Sequence, residues 1–195
     1  MSTFFNRACY NKYSRNDIEE WGLMLRKLTL KPDPVEIPGN ITAWGYIRVN
    51  KPIVGNISLE LKLKRYLGFF WLSVPCLKNI GSCTYPDVCE LLEDHYNETI
   101  GCNENLQAHD IPCTCPFLPG TYTLKPEMFQ IPQLKGLWAS LAKGDYKADV
   151  RLRDTDSNEV IACQHIEFSL TNGFVPTVSP TDKPKCTNIL DCLFG

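Results

Sequence analysis

The sequence predicts a mainly β domain with one short helix and a disulfide-rich segment. Three observations carry this: period-two alternation of apolar and polar residues, clusters of Pro, Gly and Asn between the alternating runs, and ten cysteines in 195 residues. A composition 44% hydrophobic and 22% charged is that of a chain with one well-buried core. The net charge of −2 and the lack of Lys or Arg runs set nucleic acid aside as a partner. No stretch reaches the roughly eighteen consecutive apolar residues of a spanning helix.

The clearest strand runs from Asn56 to Lys64, where Ile57, Leu59, Leu61 and Leu63 alternate with Ser58, Glu60, Lys62 and Lys64. A long hairpin is expected near the end. In it Tyr146, Ala148, Val150 and Leu152 alternate with charged residues, a polar turn spans Asp154 to Asn158, and Val160 to Leu170 returns. Lys27 to Leu30, Ile41 to Val49, Phe69 to Val74 and Gly120 to Leu124 are further strands. The helix begins near Pro86, with Thr84 and Asp87 as a capping pair and Val88, Leu91, Leu92 and Tyr96 on one face. From Phe174 onward, Pro-rich sequence reads as an extended tail, 174–195, carrying Cys186 and Cys192, and 1–173 form the folded domain.

Met1 to Tyr10 lacks the apolar core of a signal peptide. The even cysteine count and three N-glycosylation sequons, at Asn40, Asn56 and Asn97, outweigh that absence. The expectation is a secreted or lysosomal protein whose signal has been removed.

Six cysteines, Cys76, Cys83, Cys89, Cys102, Cys113 and Cys115, crowd one stretch, and six allow fifteen pairings. The phrases around them, with Leu28 to Pro34 and Ile37 to Thr42, resemble the ganglioside activator family, a branch of the MD-two-related lipid-recognition domains. The resemblance runs from about Cys9 to about Gly173. It implies disulfides joining Cys9 to Cys163, Cys76 to Cys83, Cys89 to Cys115, and Cys102 to Cys113, which leaves Cys186 for Cys192. The alternative, a zinc site from Cys102, His109, Cys113 and Cys115, needs reduced thiolates and lacks the usual Cys-x-x-Cys spacing. No metal or cofactor is expected.

The same resemblance implies a β-cup, an open sandwich-like fold whose splayed sheets hold acyl chains. Alternation alone favours a closed sandwich. Candidate lining residues are Leu59, Leu61, Leu63, Val150, Leu152, Ile166 and Phe168, which equally suit a plain core. Tyr66, Leu67, Gly68, Phe69, Phe70 and Trp71 form an apolar aromatic run at a turn where polar residues are normal. By resemblance it is a rim loop that meets membrane, and Leu137 and Trp138 match a second rim segment. Folding of these aromatics back into the core is the alternative.

Three histidines, His95, His109 and His165, lack the setting of a hydrolase, and no Gly-x-Ser-x-Gly, Gly-rich phosphate loop or His-Glu-x-x-His occurs. Asp154 and Asp156 sit in a turn, where Asp serves local hydrogen bonding. The expected activity is therefore that of a non-enzymatic lipid carrier. It would extract glycosphingolipid and, as the resemblance implies, present it to a lysosomal β-hexosaminidase. The competing reading is a secreted interaction or signalling protein of the same fold, with another ligand such as phospholipid or fatty acid.

Overall fold

A computed structural model describes residues 5–8, 21–77, 79–94, 102, 104–134, 139 and 143–173. Cys9, Asn97, Leu137, Trp138, Cys186, Cys192, His95, Tyr96 and the 174–195 tail lie outside them. Among the described residues the chain is mainly β, with ten strands in two sheets and two short helical segments.

The first sheet is built on β5 (Ile57–Tyr66), β9 (Gly144–Asp154) and β10 (Val160–Asn172), all antiparallel. β10 takes β1 (Phe5–Ala8) and, in parallel, β3 (Val35–Ile37) on its other edge. The free edge of β5 takes β6 (Trp71–Ser73) and β7 (Thr84–Tyr85). The second sheet has the order β2 (Leu23–Lys31), β4 (Gly39–Val49), β8 (Gly120–Ile131). The two sheets approach most closely along one side, where β2 comes beside β10 and β1, and β3 beside β4.

Each expected strand is present, with differences that have physical causes. β8 runs on past Leu124 to Ile131, because Pro126 falls where the register with β4 slips opposite Trp44. A proline in a bulge on an edge strand removes no ladder hydrogen bond. The strand expected from Phe69 begins only at Trp71, since Leu67 N–H donates to Phe70 O across a tight turn. The expected helix is α1 (Val88–Asp94), and a single turn, α2 (Glu104–Gln107), follows. Asp87 is the cap of α1: its Oδ1 accepts from the Cys89 and Glu90 amides, while Thr84 belongs to β7.

Between β6 and β7 the chain leaves β5 to make the loop closed by Cys76 and Cys83. Ser82 covers that gap. Its Oγ accepts from Leu63 N–H at 3.0 Å and donates to Leu63 O at 3.1 Å, so a side chain replaces a strand partner. Gly81, with φ +106°, lets the loop return, because a Cβ there would lie 2.1 Å from Pro75 O. Cys89 is bonded to Cys115 and Cys102 to Cys113. Cys163 is also disulfide-bonded.

Packing concentrates at two ends of the space between the sheets. Val49, Ile53 and Ile57 gather Leu152, Ile161, Tyr122, Phe117 and Val88 at one end. Val35, Ile37, Ile41, Ala43, Phe129 and Ile131 gather Leu30 and Leu170 at the other. No large side chain among the described residues is fully buried.

The inner wall and its rim as the candidate site

Cross-strand register fixes which side chains share a face. Leu59 pairs with Leu152, Leu61 with Val150, and Leu63 with Ala148. Ala148 then pairs with Ile166, and Tyr146 with Phe168. All seven candidate lining residues therefore lie on one face of the first sheet. That face looks toward the second sheet, since its ends, Ile57 and Leu170, belong to the two packed clusters. Every one of the seven is only partly buried, although Tyr146 and Ala148 beside them are buried. The result is a wall that is apolar except for Gln164, opposite Val150, and that is packed at both ends and incompletely covered between them. Tyr146 stacks on Phe168 with centroids 5.4 Å apart, and burial pushes its phenol pKa up while Arg65 pulls it the other way.

The aromatic run is the tip of the β5–β6 hairpin. Phe69 is 85% exposed, Phe70 44% and Leu67 39%, with Phe69 and Phe70 in edge contact at 4.9 Å. These apolar groups remain outside the core. Trp71 differs: it pairs with Tyr66, on the outer face of the sheet. Its ring lies 5.1 Å from that of Tyr66, and Lys147 Nζ stands 4.4 Å from its centroid. Leu72, paired with Arg65, faces the inner side and is half-exposed.

The outer face carries a ladder of charges in register. Glu60 accepts from Arg151 at 3.0 Å and Lys62 at 2.9 Å. His165 lies between two carboxylates, its Nδ1 2.6 Å from Asp149 and its Nε2 3.0 Å from Glu167, which also takes Lys147 at 3.3 Å. His165 lies on the outer face, and the carboxylate of Asp149 reaches it only through the pairing of β9 with β10. Contact with His165 lowers the Glu167 pKa, and contact with Lys62 lowers that of Glu60. On the second sheet, His109 Nε2 lies 3.1 Å from Glu127.

Asn40 and Asn56 are exposed, as glycan attachment requires. Among the described residues no cluster of ligands suited to a metal is found, and the three cysteines weighed for zinc, Cys102, Cys113 and Cys115, are each bonded in a disulfide.

Residues 7–170 match the protein family described as the ML domain. The mouse ganglioside GM2 activator is 32% identical over 147 residues, covering 75% of this chain and 75% of that protein. The activator of the macaque Macaca fascicularis is 34% identical over 147 residues, covering 75% of this chain and 76% of the relative. A Niemann-Pick type C2 protein from Japanese carpenter ant superposes with a TM-score of 0.37 at 11% identity, over 75% of this chain and 91% of that one.

Proposed function

The chain belongs to the ML-domain family and, within it, to the ganglioside activators, and from that premise we propose that it is a non-catalytic lipid carrier. The observation that carries the proposal is the inner wall. Leu59, Leu61, Leu63, Val150, Leu152, Ile166 and Phe168 line one face and are only partly covered, Leu152 at the edge of one packed end and the others between the two ends. Acyl chains laid against that wall remove apolar surface from water at about 25 cal/mol per Å². The same contact in a closed sandwich would be made by the second sheet.

Delivery to and from a bilayer is the role of the hairpin tip. Leu67, Phe69 and Phe70 burying on the order of 100 Å² each in a membrane surface gain about 7 kcal/mol before ordering and desolvation are subtracted. That magnitude gives reversible attachment rather than anchoring. Leu137 and Trp138 form the second rim segment in this reading, and Asn40, Asn56 and Asn97 are the glycan acceptors. The disulfides suit an extracellular or lumenal compartment.

The lipid is a glycosphingolipid, presented with its sugar exposed to a lysosomal β-hexosaminidase. Both described histidines hydrogen-bond carboxylates, His109 that of Glu127 and His165 those of Asp149 and Glu167. The Phe69→Ser/Phe70→Ser protein tests the delivery step by flotation with vesicles. It should stay folded and lose vesicle binding; wild-type binding by this variant would remove the tip from the mechanism.

A further inference from the structure

Three cations of the first sheet are paired with carboxylates on its outer face: Lys62 and Arg151 with Glu60, and Lys147 with Glu167. Arg65 is placed differently. Its register with Tyr146 and Leu72 puts it on the inner face, in line with Leu59, Leu61 and Leu63 and beside the hairpin tip. It is partly buried, and among the described residues no carboxylate pairs with it. Its Nε–H is buried with no acceptor there.

The guanidinium is nevertheless held in place. Nη2 donates to Lys143 O at 2.8 Å, and Gly144, with φ +137°, leaves the room it occupies. A Cβ on Gly144 would stand 3.1 Å from Arg65 Nε and 3.7 Å from Nη2. A partly buried charge lacking a counter-ion is unfavourable unless something else supplies one. An oxyanion at the guanidinium supplies the missing counter-charge through charge-assisted hydrogen bonds.

We propose that Arg65 is a headgroup-selecting residue, which binds the oxyanion (carboxylate, phosphate or sulfate) of the lipid carried against the inner wall. This rests on the lipid-carrier reading above and adds a chemical selection to it. Lys64 and Lys147 lie on the opposite face of the same sheet, away from the carried lipid.

The test uses a pair of lipids that differ only in the anion: galactosylceramide and its sulfate ester, mixed equally in phosphatidylcholine vesicles. After incubation and removal of vesicles, native mass spectrometry reads the ratio of the two lipids bound to the full chain. Wild type should favour the sulfated lipid on the order of tenfold, the scale of one charge-assisted hydrogen bond. Arg65→Gln should bring the ratio near one while still taking up galactosylceramide, and Arg65→Lys should keep part of the preference. An Arg65→Gln protein with the wild-type ratio overturns the inference. So does a wild type without preference, which needs no variant to fold. Loss of vesicle flotation by Arg65→Gln with an unchanged bound ratio assigns Arg65 to the membrane and also overturns it. Failure of wild type to take up either lipid would instead count against the carrier reading itself.

Discussion

His165 and Glu167 show how residue pairing sets a pH response. The Glu167 carboxylate accepts from His165 and from Lys147, and these contacts, opposed in part by burial, hold its pKa below the ordinary glutamate value. Glu60 is lowered by Lys62 and Arg151, and Asp154 by hydrogen bonds from Ser157 and Asp156. A carboxylate depressed in the folded state contributes stability above its unfolded pKa, about 4 for Asp and Glu, and loses it as pH falls through the folded value. These groups therefore keep their full contribution at mildly acidic pH and lose it only below about pH 4. All three are partly exposed to solvent, so each effect is modest. Melting temperature followed from pH 7 to pH 3 should fall less steeply below pH 4 for Glu167→Gln than for wild type. Equal slopes would separate Glu167 from the acid response. At the same scale, the inward position of Arg65 was legible: it has the odd-numbered parity of Ile57, Leu59, Leu61 and Leu63.

At the scale of elements, the β5–β6 hairpin divides its aromatics between two tasks. Phe69 and Phe70 project from the turn, whereas Trp71 is held against Tyr66 and under Lys147 on the outer face. Sequence grouped all of them, because the face of Trp71 depends on the hairpin register that pairs it with Tyr66. Trp71→Ser removes an aromatic pair and a cation–π contact, together about 1–2 kcal/mol. It should lower the melting temperature by several degrees, while Phe69→Ser leaves it within about a degree. A Trp71→Ser protein as stable as wild type would contradict the outer-face anchoring. The strand pattern itself was readable wherever alternation was uninterrupted, as from Ile57 to Leu63. It broke down at Pro126, where a bulge absorbs a residue that normally ends a strand, and at β3, whose parallel pairing with β10 joins residues far apart in sequence.

For the whole molecule, the mainly β fold in two sheets and the pairings Cys76–Cys83, Cys89–Cys115 and Cys102–Cys113 agree with what the family resemblance implied. What alternation could not decide was whether the facing sheets close. An apolar residue facing a packed sheet and one facing a space for lipid have the same identity and the same parity. Only the partial exposure of the wall between two packed ends distinguishes them. The central claim is that this wall holds lipid, and native mass spectrometry of the full chain after incubation with glycosphingolipid-containing vesicles tests it most directly. The account predicts a species heavier than the bare protein by one lipid. A protein that remains lipid-free at lipid excess, while folded and oxidised, would contradict it.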